Sequence, residues 1–329
     1  MHVPAERLIR ETPSNLGFVQ SALDEAFQAI SIFGCSSALV LRYGLIAKSE
    51  GPLDQRLIVR SIRKSVLSAL IGIAVGRGQI SLSATLEDLG IDDVDPLSVE
   101  EKKASVRNLM MGRSGIYHPA LAESPDMIAA KPPRGSKIPG DHWCYNNWDF
   151  NALGTIYQRA TGRTVYEGFL EDIAAPIGME DFRLEDGRSM TGDISRHPAY
   201  HLSMTARDMA KFGSLYLQDG RWGDTQILPA QWVKDSTTAY SLAERERQGY
   251  GYMWWTTGLS GEAEKAHGVR PDPAIPPYRY AAHGYYGQMI YVVPAKELVV
   301  VTQAPARDRS KQEWESFWEF LRQVIVAAS

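Results

Sequence analysis

The chain has 329 residues, 44% of them hydrophobic and 22% charged, the balance of an ordinary globular protein rather than of a disordered or collagen-like one. A formal net charge of −4 leaves no basic excess for a phosphate backbone, so nucleic acid is not an expected partner, and clusters such as Arg56, Arg60, Arg63 and Lys64 are local. Two cysteines, Cys35 and Cys144, build neither a disulfide framework nor a multi-cysteine metal site, and no apolar run approaches the ~18 residues of a membrane span. The opening MHVPAERLIRETPSN carries no apolar signal-peptide core, so the expectation is a cytoplasmic protein with no membrane contact, export of a processed form staying open.

A first helix is expected over residues 14–30, with Ser14 as its cap and Leu16, Val19, Leu23, Ala26, Phe27 and Ile30 near one face. Two β-prone runs, 37–43 and 45–49, hinge at Gly44 and read as a hairpin. From Ser61 the residues Val66, Leu67, Leu70, Ile71, Ile73, Ala74 and Val75 make an almost wholly apolar helix, the pattern of a buried one, in which Gly72 and Gly76 allow close packing. The middle of the chain alternates helical patterns with Pro- and Gly-rich loops, notably 114–142, and shows no internal repeat. Beyond a loop at 257–279, the runs 288–294 and 297–303 flank a Pro-Ala-Lys turn and read as antiparallel strands. A last helix carries Trp314, Phe317, Trp318, Leu321, Val324 and Ile325 behind Ser310 as a cap.

Strands near both ends with helices between them predict an α+β fold: an antiparallel sheet flanked by amino- and carboxy-terminal helices, with an inserted, mostly helical lobe. The expected division is a discontinuous sheet lobe, 1–64 with 246–329, and a helical lobe, 65–245, with a site in the cleft between them.

Three short motifs carry chemistry. Ser61-Ile62-Arg63-Lys64 has the S-x-x-K spacing, which on a helix puts the lysine amine on the face of the serine hydroxyl. The spacing alone is common, and a solvated helix start is its plain alternative. Its position at the head of the most apolar helix favours a buried lysine whose pKa falls far enough to deprotonate serine, with Arg60 and Arg63 adding to the depression. Tyr145-Asn146-Asn147 supplies a phenol that can share proton transfer and an amide that can hold a carbonyl; the alternative is a packed tyrosine with Asn147 capping a helix near Trp148. Ala281-Ala282-His283-Gly284-Tyr285-Tyr286-Gly287-Gln288 is a Gly-punctuated approach to a strand, where substrate can lie against backbone and an N–H can complete an oxyanion hole with that of Ser61.

In this order the motifs resemble those of the serine β-lactamase and penicillin-binding-protein superfamily. Within it the chain resembles the class C-related group of D-alanyl-D-alanine carboxypeptidases, β-lactamase-like esterases and 6-aminohexanoate-oligomer hydrolases. The likeness runs from about residue 37 to 303 and includes Leu109-Met110-Met111-Gly112-Arg113-Ser114-Gly115-Ile116, Met204-Thr205-Ala206-Arg207-Asp208 and Gly249-Tyr250-Gly251-Tyr252. The resemblance implies that Ser61 is the nucleophile, that Lys64 and Tyr145 share the general-base and general-acid steps, and that Asn147 orients the substrate carbonyl, with His283, Gly284, Tyr285 and Tyr286 at the substrate. It implies a small-molecule ester or amide as substrate, no cofactor and no metal, and leaves the oligomeric state open.

One departure stands out. Where lactamases carry Lys-Thr-Gly, this chain has Ala282-His283-Gly284, so the cation that helps bind a substrate carboxylate is missing unless His283 or an arginine such as Arg279 replaces it. The expectation is therefore a carboxylesterase or amidase. A β-lactamase or D-Ala-D-Ala carboxypeptidase is the alternative, and a non-catalytic penicillin-binding-like sensor the second. A Ser-His-Asp hydrolase lacks its G-x-S-x-G elbow, Gly112-Arg113-Ser114-Gly115 being wrongly spaced. No H-E-x-x-H occurs, and His118, His142, His197, His201 and His267 read as surface or structural residues.

Overall fold

The computed structural model describes residues 7–243, 248–257 and 274–328, so most of the loop expected at 257–279, with His267, lies outside the described residues. Helix α1 (Gln20–Phe33) leads into strands β1 (Ser37–Arg42), β2 (Leu45–Glu50) and β3 (Leu57–Ile58), and then into α2 (Ile62–Gly76). The middle holds helices α3 (Val106–Met110), α4 (Pro125–Ala130), α5 (Asn147–Thr161) and α6 (Val165–Phe169), strands β4 (Gly187–Gly192) and β5 (Ser195–Met204), helix α7 (Ala206–Leu217), the short strands β6 (Arg221–Trp222) and β7 (Thr225–Gln226), and helix α8 (Ala230–Ser236). The chain closes with β8 (Ser241–Ala243), β9 (Gln248–Tyr250), β10 (Trp255–Thr256), β11 (Tyr280–Gly284), β12 (Gln288–Val293), β13 (Leu298–Gln303) and helix α9 (Lys311–Ala327).

One antiparallel sheet of eight strands, in the order β2-β1-β13-β12-β11-β10-β9-β8, joins the two ends of the chain. Its central strand β13 is apolar at successive positions because both faces are covered. Val299 and Val301 point into the core shared with α2 and α7, whereas Leu298 and Val300 point into the one shared with α1 and α9. The fold is thus α+β with the β-lactamase/transpeptidase architecture: terminal helices on one face of the sheet, the remaining helices on the other. Sheet packing reaches into the stretch 65–245, since α7 rests on β1, β12 and β13 and β8 begins at Ser241. Among the described residues, no helix is long and apolar enough to cross a membrane.

Helix α2 is buried all round, as its composition requires. A Cβ at Gly72 would lie 2.4 Å from the Trp232 ring and one at Gly76 3.0 Å from Pro229, so both glycines are contact points for the start of α8. Ser310 caps α9 in a reciprocal pair with Glu313. Two expected caps move. Ser14 sits in a turn closed by Gly17, at φ 73°, and α1 starts six residues later behind Val19. Asn146, not Asn147, caps α5: its side chain accepts from the Trp148 N–H at 3.1 Å, while Asn147 is the first helical residue. The middle also contains a three-stranded sheet, β3-β5-β4, where only helices and loops were expected.

Candidate active site

The head of α2, the turn before α5 and the end of β11 meet in one cleft of about 1620 Å³. Ser61 occupies the N-cap position of α2, half-buried, and Arg60 before it is held at φ 55°, in the left-handed region that a branched chain normally avoids. Among the described residues no acceptor takes the Ser61 N–H, which stays available at the cleft. One helical turn on, Lys64 Nζ donates to Ser61 Oγ at 2.8 Å. Lys64 is 2% exposed, and its amine lies 4.5 Å from the Tyr145 ring centroid and 5.0 Å from that of Phe150. Burial, and next the charge of Arg63, hold the Lys64 pKa well below the usual lysine value, favouring the neutral amine.

Tyr145 is fixed by rings on three sides, with centroids of Phe150 at 5.1 Å, Trp255 at 5.5 Å and Tyr250 at 5.9 Å. The turn that delivers it is pinned through Asn146, whose amide donates to the carbonyl of Ile116 and to Asp149, and through Ser114, which donates to Asp149 at 2.6 Å. Asn147 lines the cleft, but its amide nitrogen donates to the carbonyls of Ala122, at 2.5 Å, and Leu121, at 3.4 Å. Its buried Oδ1 has no hydrogen-bond partner among the described residues.

At the third motif, the β10 ladder ends at the Trp255–Ala281 pair, so among the described residues no strand pairs with that edge of His283 and Gly284. A Cβ at Gly284 would fall 2.3 Å from the carbonyl oxygen of Val59, which is why this strand can close on the loop that carries Ser61. Tyr286 turns the chain at φ 68°; its carbonyl accepts from Arg309 at 3.1 Å and its ring faces Arg60, with the Tyr285 ring tilted against it and 55% exposed. His283 packs between the rings of Trp255 and Trp318, and this loss of water pushes its pKa down to about 4. It is neutral at pH 7 and does not replace a cation. Arg279 does not line the cleft; it donates to the Tyr291 hydroxyl at 2.9 Å and to the carbonyl of Pro276.

The structure therefore gathers Ser61, Lys64, Tyr145, Asn147, His283, Gly284, Tyr285 and Tyr286 at a single cleft. His118 and His197 are buried structural residues, on Glu101 and Thr155, but His201, expected to be structural or superficial, lines the cleft with Arg60 and Arg63. Sequence pattern gave Arg60 and Arg63 as a local basic cluster that adds to the Lys64 pKa depression, not as cleft-lining residues, since spacing does not tell which wall a side chain faces.

The match to known proteins covers the same ground. A family model described as Beta-lactamase matches residues 47–312. An uncharacterized protein of Alkalihalophilus pseudofirmus is 21% identical over 267 residues, 75% of this chain and 73% of the relative. Among solved structures, a protein of Bacillus anthracis provisionally named as a 6-aminohexanoate-dimer hydrolase superposes with a TM-score of 0.68 at 19% identity, over 93% of this chain and 81% of that one. A β-lactamase of Mycobacterium bovis gives 0.66 at 17% identity, over 92% and 100%. At these identities the structural likeness is one of fold. Together with the family match it means that the chain belongs to the beta-lactamase family, within the superfamily of serine β-lactamases and penicillin-binding proteins.

Proposed function

We propose that the protein is a serine hydrolase that cleaves ester or amide bonds through an acyl-enzyme on Ser61, and that it acts as a carboxylesterase or amidase rather than a β-lactamase. The observation that carries this reading is the 2.8 Å contact from Lys64 to Ser61 at a lysine whose charged form is disfavoured by burial. Neutral Lys64 takes the Ser61 proton as Oγ bonds to the carbonyl carbon and the carbonyl pair moves onto oxygen. The Ser61 N–H and an N–H of the turn after β11 meet that oxyanion. On collapse, the bond to the leaving atom breaks, its electron pair stays on that atom, and the proton returns to it through Tyr145 and Lys64. Water then attacks the ester by the same route. Asn147 orients the carbonyl by turning one amide hydrogen from the Ala122 and Leu121 carbonyls to substrate.

The preference for substrates uncharged at the third-motif wall rests on the end of β11, where His283 is uncharged and Arg279 is turned away. A carboxylate at that wall would lose water without gaining a counter-charge. We expect p-nitrophenyl butyrate to be hydrolysed with higher kcat/KM than nitrocefin from about pH 5.5 to about 8.5, with no gain in nitrocefin turnover at the acid end. Nitrocefin hydrolysed as fast or faster returns the protein to the β-lactamases. Ser61→Ala should abolish turnover and labelling by a fluorophosphonate while the fold survives. Wild-type protein left unlabelled at Ser61 would make it a non-catalytic binding protein.

A further inference from the structure

Arg63 stands outside the proton path, yet it is 2% exposed. Its guanidinium carbon lies 4.3 Å from the centroid of the Tyr200 ring, and Nη2 donates to Asn151 Oδ1 at 3.2 Å. Nη1 is buried with no hydrogen-bond partner, and among the described residues no carboxylate pairs with this arginine. Other withdrawn arginines have their donors met, by carboxylates for Arg207 on Asp181 and Arg163 on Asp172, or by carbonyls for the buried Arg42 on Leu16, Gly17 and Lys296. A guanidinium withdrawn from water and left without an anion is a costly arrangement unless an anion arrives.

The surroundings are cationic. Arg63 lines the cleft with Arg60 and His201, and Arg188 of β4 stands opposite His201 in the ladder to β5. The carboxylates along the cleft do not reach this corner. Glu123 is held by Lys131 at 2.6 Å, Asp126 belongs to the first turn of α4, and Asp141 is exposed on the loop before Tyr145. Burial, Arg63, Arg60, Lys64 and Arg188, in that order, keep His201 neutral, and no carboxylate acts on it. His283, on the opposite wall, is held between the rings of Trp255 and Trp318, whereas the basic side chains of Arg60 and His201 gather on the Arg63 side.

We infer that Arg63, flanked by Arg60 and His201, anchors an anion subsite on the helical wall of the cleft, and that the subsite takes a carboxylate carried on the acyl part of the substrate. The inference rests on Ser61 as nucleophile and adds the substrate class: monoesters or monoamides of short dicarboxylic acids. The acyl side is indicated by α5, where Asn147, at the carbonyl, and Asn151, on Arg63, lie four residues apart on one face. A single guanidinium, flat on a tyrosine and with one nitrogen already on an amide, suits a planar carboxylate. This is the wall opposite the one where lactamases place their third-motif lysine, so a neutral leaving group and a charged acyl group are compatible.

The test compares mono-p-nitrophenyl glutarate with p-nitrophenyl pentanoate, which share a leaving group and chain length. In wild-type protein the acidic ester should have the higher kcat/KM by about tenfold or more, and in Arg63→Gln the ratio should fall to about one. A wild-type ratio at or below one overturns the subsite. So does a ratio that survives Arg63→Gln while both rates fall together, the signature of a structural arginine. Should Arg63→Gln not fold, competitive inhibition of the wild type by monomethyl glutarate no stronger than by neutral methyl butyrate has the same meaning. If neither ester is hydrolysed and Ser61 takes no label, it is the nucleophile that fails. Titration of monomethyl glutarate against methyl butyrate into Ser61→Ala then decides the subsite alone: preference for the acid supports it, equal or no binding overturns it.

Discussion

Two helices of this fold each bury a lysine beside an arginine, and they do so in opposite ways. On α7, Arg207 grips Asp181 and Lys211 is 0% exposed beside Glu180 at 3.5 Å, its amine also donating to the Gly178 carbonyl. Asp208 of the same helix accepts the backbone N–H groups of residues 180–182. Those charges tie α7 to the segment behind α6. At the head of α2, Arg63 and Lys64 are equally withdrawn from solvent, yet their partners are an amide, a hydroxyl and aromatic faces. A lysine buried for structure brings its counter-charge; one buried without it becomes a stronger acid as the ammonium, so that its neutral amine is present to accept a proton. Depth alone does not separate the two, whereas the partner does.

Removing each amine should split the pair of lysines cleanly. Lys64→Met is expected to lower kcat by on the order of 10²–10⁴ while stability is unchanged or improved, since a buried amine without an anion is replaced by an apolar chain of similar length. Single-turnover kinetics and urea midpoints check both halves, and a large stability loss would mean that α2 is built on this lysine. Tyr145→Phe should cost on the order of 10² in the chemical step, and the double variant should lose little beyond the larger single loss, because both groups serve one proton route. Multiplied losses would show independent roles.

Lys211→Met should leave kcat per folded molecule alone and lower stability by on the order of 2–3 kcal/mol, toward the low end for a buried pair because Glu180 keeps contact with water. The smallest effect is in pH. His197, His201 and His283 are each held to about 4 against an ordinary 6.5. Between those values the unfolded chain binds more protons than the folded one, so their contribution to stability is present above 6.5 and lost as pH falls toward 4. Asp208, raised to about 6, runs the other way, so the readout is the change in slope of the urea midpoint against pH in His283→Phe, which should flatten.

The ends of the chain were legible in the sequence and the middle was not. Unbroken apolar runs exposed α2 and the β12–β13 pair, which are covered on all sides, and helical periodicity exposed α9, which buries one face. The β5 strand escaped because Pro198 and two histidines interrupt its pattern. The structure tolerates the proline because β3 pairs only with Ser203 and Met204, leaving that stretch of β5 an open edge. The β8–β10 strands, of two or three residues each, are too short to show alternation. Two adjacent asparagines hid which one caps α5, a choice made by the carbonyl of Ile116 thirty residues away. The three motifs gave the members of the site, but the pairing of Arg63 with Asn151 and Tyr200 depends on α2, α5 and β5 coming together, and no linear spacing carries that.

The contact between Gly284 and the Val59 carbonyl also bears on how this site can change over evolutionary time. Position 283 can exchange its side chain, and 285 can reach into solvent, so the wall beside the leaving group is open to revision one residue at a time. Position 284 is closed to it. A methyl group there meets main chain rather than a movable side chain, and the carbonyl it would displace lies two residues ahead of Ser61. New side chains can therefore accumulate around this glycine, while a change at it would shift the loop that carries Ser61 itself.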